Sequence, residues 1–223
     1  MLTELMLKLA EGKHLDSLEI SNLRRELQAV EEVKNLAKTW VVPGTQTPIF
    51  SSIIQRIYPS DGKALASDTA SITIPIPKDY KHLLVLGQAR STEAAYANVL
   101  RARFNGDTGT NYREQYHGGQ NASASIGAFT GQAYFSIGDV NGTSATTGAA
   151  GGYVVFIPHY TNTVFWKNAM SIRGIPLVNA SSEDLNILLS AFWQNTAAIE
   201  SITFFPAAGS ILAGSIISIY GIL

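Results

Sequence analysis

"SITFFPAAGSILAGSIISIYGIL", Ser201 to Leu223, is a run of twenty-three residues without a single charged side chain. Its length alone would allow a membrane-spanning helix, since about 20 apolar residues cross the core of a bilayer. Pro206 and three glycines disfavour a helix, whereas the many isoleucines favour extended strands. We therefore predict two strands here, about 199–205 and 215–222, and no membrane span.

The composition is typical of a globular chain with one large all-β domain and an appendage. Of the 223 residues 46% are apolar, and 16 Lys and Arg residues balance 17 Asp and Glu residues. Because the charges balance, the protein has no strong positive electrostatic potential that would attract the phosphates of a nucleic acid. The composition therefore argues against nucleic acid as a partner. The chain has no cysteine, which excludes disulfides and thiolate chemistry and fits assembly in a reducing cytoplasm. The N-terminal residues lack the pattern of a signal peptide.

The composition changes near Trp40, which indicates two parts that follow different structural rules. The part before Trp40 is rich in charged residues and has one glycine, Gly12, whereas 18 glycines and all 8 prolines come after it. We therefore predict an N-terminal helical segment at 1–40, a linker at 41–50 and a β-sandwich domain at 51–223.

Apolar residues in the first part recur in the heptad phase of a coiled coil. We assign a role in docking or oligomerisation to Leu2, Met6, Leu9, Ile20, Leu23, Leu27 and Val30. The stripe either packs on the chain's own domain or joins helices from several chains, because a short helix needs such burial to be stable. The connector "WVVPGTQTP" after the stripe indicates a separate module. It therefore favours the second alternative, a bundle of helices from several chains.

From Ile49 onward, short extended runs alternate with Gly, Asn, Asp and Pro, which predicts about ten strands. In "NVLRARF" the even-numbered residues Leu100, Ala102 and Phe104 should face inward. Pro75 and Pro77 place the run around them at a sheet edge or outside a ladder. In "DLNILLSAFWQ" the inward positions are Leu185, Ile187, Leu189, Ala191 and Trp193. We predict a mainly β fold, a jelly-roll-like antiparallel β-sandwich.

Motifs that carry catalysis or bind a metal are missing from the sequence. The four histidines, His14, His82, His117 and His159, lie far apart and do not have the spacing of zinc ligands. The nucleophile motif Gly-x-Ser-x-Gly, the dinucleotide motif Gly-x-Gly-x-x-Gly and the phosphate-binding Gly-x-x-x-x-Gly-Lys do not occur. We therefore expect no enzyme activity, no metal and no cofactor.

The stretch "FNGDTGTNYREQYHGGQ", from Phe104 to Gln120, has the most polar chemistry in the chain. Oxygens of Asn105, Asp107 and Asn111 recur in a way that could suit calcium. The same residues form ordinary turns, and a turn is the interpretation that we favour.

The residues that follow in this stretch are candidate glycan contacts. They are Tyr112, Arg113, Tyr116 and His117. Aromatic faces and planar cations suit the binding of polyols. The alternative interpretation places Tyr112, Glu114 and Tyr116 on one face of a strand.

Three segments in this order resemble the C-terminal domain of a widespread group of tailed-bacteriophage virion proteins. The segments are "HLLVLGQARS", "LRARFNGDTGTNY" and "SITFFPAAGSILAGSIISIYGI". The matching residues are Arg103 to Asp107 and Tyr112 in the second segment, and Phe205, Pro206, Gly209, Gly214, Ser215, Tyr220 and Gly221 in the third. The resemblance covers about residues 49 to 223 and leaves the helical segment without a match.

The resemblance implies a β-sandwich displayed on a phage particle as a head decoration, a head fibre or a tail fibre component. It also implies assembly in the host cytoplasm as a homotrimer, with other virion proteins such as capsid or tail proteins as partners. The alternative is an adhesin whose loops bind host surface glycans. A jelly-roll enzyme would need clustered His and Glu residues, which the sequence lacks.

Overall fold

A computed structural model describes residues 53–120, 123–177 and 183–223, and every secondary-structure element that lies within these ranges is a β-strand. The predicted mainly β class is therefore confirmed for this part of the chain. The helical segment at 1–40, its seven docking residues and the linker at 41–50 lie outside the described residues.

The described ranges contain twelve strands, against about ten in the sequence prediction. They are β1 (Ile54–Tyr58), β2 (Ile72–Pro75), β3 (His82–Ala89), β4 (Ala97–Phe104), β5 (Tyr112–Gln120), β6 (Ser123–Gln132), β7 (Phe135–Asn141), β8 (Gly151–Ile157), β9 (Lys167–Leu177), β10 (Glu183–Trp193), β11 (Ser201–Pro206) and β12 (Ile216–Ile222).

The strands form two antiparallel sheets. The larger sheet has the order β1-β12-β3-β8-β9-β10-β5-β6, and the smaller has the order β2-β11-β4-β7. Four of the pairs are nested in the sequence, because β1 pairs with β12, β2 with β11, β3 with β8 and β4 with β7. The hairpins β5-β6 and β9-β10 are insertions into this nested set and extend the larger sheet beyond β8.

The two sheets pack face to face, with β7 of the smaller sheet against β8 and β9 of the larger. Alternation with period two selects the residues between them, as the sequence predicts. Leu100, Ala102 and Phe104 of β4 are buried, and so are Leu189, Ala191 and Trp193 of β10. Strand β2, which contains Pro75, is at an edge of its sheet, where a missing N–H donor does not interrupt a ladder.

Aromatic rings fill one end of the space between the sheets. The ring centroids of Phe104 and Phe135 are 4.8 Å apart, and the rings of Tyr112 and Trp193 stack at 6.4 Å. The Tyr112 hydroxyl accepts a hydrogen bond from the backbone N–H of Phe104 at 2.9 Å. This bond satisfies a polar group that would be costly to bury alone.

Tyr153 of β8 is held between two glycines, one from each sheet. A Cβ atom at Gly87 of β3 would overlap the Tyr153 ring, and one at Gly138 of β7 would lie 2.7 Å from it. Only 3% of Tyr153 is exposed. The close approach of this ring to the backbone therefore depends on glycine at both positions.

The uncharged run at the C-terminal end forms β11 and β12, as predicted. β12 lies inside the larger sheet and forms hydrogen-bonded ladders with both β1 and β3. Among the described residues no helix has the length and apolar character needed to cross a membrane.

Candidate functional site

A cavity of about 500 Å³ lies between strands β4 and β7 on one side and strands β5, β6, β9 and β10 on the other. The two inserted hairpins thus supply most of its wall. Four charged side chains reach into it, and they come from four different strands. They are Arg101 of β4, Glu114 of β5, Asp139 of β7 and Arg173 of β9.

Arg173 and Asp139 form a buried ion pair in this cavity. Nε of Arg173 lies 2.9 Å from Oδ2 of Asp139, and the two side chains are 6% and 7% exposed. Burial raises the pKa of Asp139, and the positive charge of Arg173 opposes this rise. Nη1 of Arg173 is buried and makes no hydrogen bond within the described part of the chain.

Glu114 is the second buried carboxylate of the cavity. Its Oε1 atom accepts a hydrogen bond from the backbone N–H of Ser136, which joins β5 to β7. Burial raises the pKa of Glu114, while this hydrogen bond and the charges of Arg173 and Arg101 act in the opposite direction.

Arg101 lies at the side of the cavity that the smaller sheet provides. Its guanidinium carbon is 3.9 Å from the centroid of the Tyr134 ring, which is a close cation–π contact. Its Nε atom is buried and has no hydrogen-bond partner among the described residues. Arg101 thus places a positive charge beside an aromatic ring at the cavity wall.

Two stacked aromatic rings line the cavity where it meets the β5-β6 hairpin. Tyr116 and Phe129 lie with ring centroids 6.0 Å apart and planes 17° from parallel. The residue opposite Tyr116 on β6 is Gly127, and any side chain there would collide with the Tyr116 ring. Phe129 is 48% exposed, so the stack reaches from the cavity to solvent.

The four residues that the sequence predicts as glycan contacts do not share one surface. Tyr112 and Tyr116 face inward on β5, and only Tyr116 lines the cavity. Arg113 and His117 point to the opposite face of the sheet and are exposed. The alternation of Tyr112, Glu114 and Tyr116 on one strand face is the arrangement that the structure has.

The side-chain oxygens of Asp107 and Asn105, two of the three residues considered for calcium, accept hydrogen bonds from donors of the protein. The carboxylate of Asp107 accepts hydrogen bonds from Nδ2 of Asn111, Nε1 of Trp193 and the backbone N–H of Gly109. Oδ1 of Asn105 accepts bonds from two backbone N–H groups at the start of β11. These contacts fix a turn. Within the described ranges, no three His, Cys, Asp or Glu side chains are grouped so that they could hold a metal ion.

The outer surface of the larger sheet has a patch of exposed apolar side chains, which we call the outer patch. In register across β8, β9 and β10 lie Val154, Ile172 and Leu188, and the same row continues through His117 to Ile126 on β6. Ile172 is 64% exposed and Leu188 is 54% exposed. The next row contains Met170, 44% exposed, beside Ser190. No Asp, Glu, Lys or Arg is present in these two rows on β8, β9 and β10.

Comparison of the chain with models of known protein families, with curated proteins and with solved structures found no match. The cavity and the outer patch are therefore interpreted from their own geometry.

Proposed function

We propose that the chain is a structural protein of a bacteriophage virion, a capsid decoration or cement protein or a component of a head or tail fibre. In this role it assembles in the host cytoplasm as a homotrimer, joins other virion proteins and displays its β-sandwich on the particle. The role is structural and involves no catalysis. The resemblance of three sequence segments to phage virion proteins supports it.

The strand order supports a jelly roll as the finer description of the fold. In a jelly roll a long hairpin folds over on itself, so that strands pair first with last in a nested series. The nested pairs β1-β12, β2-β11, β3-β8 and β4-β7 have this pattern, and they divide between two sheets. Jelly rolls are common in viral capsid proteins and lectins, which is consistent with a virion component.

The outer patch is the observation that carries the proposal of self-assembly. Val154, Ile172 and Leu188 form an apolar row on a sheet face that nothing in the described chain covers. Because the row and its neighbour on β8, β9 and β10 are uncharged, a second copy can pack against the patch without burying a charge. We therefore assign this patch to contacts between copies of the chain. The proposal of three copies in the assembly rests on the sequence resemblance to phage virion proteins.

Light scattering of the full-length protein tests the assembly. The wild type should have the mass of a trimer, and Ile172→Asp/Leu188→Asp should have a lower mass because the interface would have to bury charge. Tyr96→Asp is the matched control. Tyr96 is an exposed aromatic residue that directly precedes β4, a strand of the smaller sheet, and it lies outside the outer patch. A monomeric wild type, or a double variant with unchanged mass, would contradict assembly through the outer patch.

Antibody labelling of purified phage particles tests the location. Label at regular positions on heads or tails is the expected result. A chain that is produced during infection but is missing from purified particles would contradict a role in the virion.

A further inference from the structure

The cavity between the inserted hairpins and the smaller sheet presents hydrogen-bond donors and acceptors side by side. Arg173 and Asp139 line it as an ion pair, with Nε and Oδ2 2.9 Å apart and with 6% and 7% of their side chains exposed. A hydroxyl group can accept from the first and donate to the second. Two neighbouring hydroxyl groups on one ligand would match this pair better than a single one.

The charges of the cavity balance. The positive charges of Arg101 and Arg173 face the carboxylates of Glu114 and Asp139, so the formal sum is zero. A ligand with a net charge would lose its own hydration and would meet charges of both signs in the wall. The balance therefore favours an uncharged ligand with many hydroxyl groups.

Aromatic faces complete the wall. Tyr116 and Phe129 stack at the open side, and the Tyr134 ring lies under the guanidinium of Arg101. The C–H faces of a sugar ring pack on such surfaces, while its hydroxyl groups reach the polar side chains beside them. The volume of about 500 Å³ also lies in the range of small-molecule sites, roughly 300 to 1,000 Å³.

We propose that this cavity is a binding site for a neutral saccharide of one or two sugar units. Arg173 and Asp139 bind adjacent hydroxyl groups, and Tyr116 and Phe129 hold the face of the ring. The site differs from the contacts predicted from the sequence, because only Tyr116 belongs to both. The inference does not depend on the proposed role in a virion.

Ligand-observed NMR on the full-length protein tests the site. The probes are glucose, galactose, mannose, N-acetylglucosamine and lactose at millimolar concentrations, with glucuronate and glucosamine as an anion and a cation that resemble glucose in shape. At least one neutral sugar should bind saturably, and the charged analogues should bind more weakly than glucose. If no neutral sugar binds, or if glucuronate or glucosamine binds more tightly than every neutral sugar, the proposal is wrong.

Two variants of β6 locate the binding. Phe129→Ala removes a half-exposed wall residue and should weaken binding of the best sugar about 5-fold, since stacking on an aromatic face contributes about 1 kcal/mol. Thr130→Ala is the matched control, because Thr130 is exposed on the same strand, does not line the cavity and lies outside the outer patch. Both variants should unfold at temperatures near that of the wild type. Equal affinity of Phe129→Ala and the wild type would place the sugar elsewhere and overturn the proposal.

Discussion

The carboxylate of Asp107 accepts a hydrogen bond from the indole Nε1–H of Trp193 at 2.6 Å, across 86 residues of sequence. Trp193 is 2% exposed and stacks in the aromatic end of the core, so its single polar group has a charged partner at the protein surface. The same carboxylate accepts bonds from Asn111 and from the backbone of Gly109. The turn after β4 is thereby joined to the end of β10.

Replacing Asp107 by Ala should destabilise the domain, because it leaves the buried indole N–H without a partner. We expect the free energy of unfolding in urea to fall by about 1 to 3 kcal/mol, and by less in Asp107→Asn, which retains an acceptor. Asp61→Ala is the control, since Asp61 is an exposed carboxylate whose ion pair with Lys63 and hydrogen bond from the Lys63 backbone N–H both lie at the surface, and its loss should be smaller than that of Asp107→Ala. Equal losses in Asp107→Ala and Asp61→Ala would show that the bond to Trp193 contributes nothing.

The contribution of Asp107 should depend on pH. Burial alone would raise the pKa of this carboxyl, but hydrogen bonds from Asn111, Trp193 and Gly109 lower it below its ordinary value. A lowered pKa stabilises the fold above the ordinary Asp value of about 3.9, and this stabilisation is lost as the pH falls through the folded-state pKa. The stability difference between the wild type and Asp107→Asn should therefore be largest at neutral pH. It should shrink in acid, and a difference that persists unchanged would contradict this explanation.

Breaking the ion pair in the cavity should cost more than breaking one at the surface. Arg173→Met leaves Asp139 buried without a positive partner, and we expect a loss of about 3 to 5 kcal/mol in urea unfolding. The double variant Arg173→Met/Asp139→Leu should lose less, since it removes both charges. Lys78→Met is the surface control, because Lys78 pairs with Glu200 where both side chains are more than half exposed. A double variant that is less stable than Arg173→Met would refute this account.

The inward faces of the strands could be predicted from the sequence, but the cavity could not. The pattern at Leu100, Ala102 and Phe104 is local, since alternation along one strand states which residues face the core. The same pattern predicts that Arg101 lies on the outer, solvent-facing side of β4. In the structure residues of the β5-β6 hairpin lie over this side, and Arg101 lines the cavity between them. Arg173 and Asp139 are 34 residues apart, and no local signal shows that their strands meet. Pairing between distant strands is what single-sequence periodicity leaves undetermined.

Gly87→Ala should destabilise the sandwich, because the new Cβ would overlap the buried ring of Tyr153. We expect a loss of about 1 to 3 kcal/mol from this overpacking in thermal or urea unfolding. Gly152→Ala is the matched control on the neighbouring strand, where the nearest atom to the new Cβ is a backbone oxygen at 4.0 Å. It should be neutral or slightly stabilising. Similar losses in the two variants would mean that the loss of glycine itself matters, and not the contact with Tyr153.

The relative contributions of the N-terminal stripe and the outer patch to assembly can be separated. If the predicted heptad stripe joins the chains, Leu23→Asp/Leu27→Asp should weaken the proposed trimer, since it would bury unpaired charge. Ile172→Asp/Leu188→Asp should weaken it independently, and the combination of all four changes should give a monomer in light scattering. If the changes at Leu23 and Leu27 leave both the mass and the incorporation into particles unchanged, the stripe packs only within its own chain.

The position of β12 between β1 and β3 also affects how the protein is made. During translation the larger sheet lacks this internal strand until Ile216–Ile222 have left the ribosome. Until then β1 and β3 have unpaired edges, which are prone to pair with other nascent chains. The nested order therefore delays completion of the sheet until β12 has been made, and newly made chains pass through a stage in which they benefit from chaperones that shield exposed strand edges.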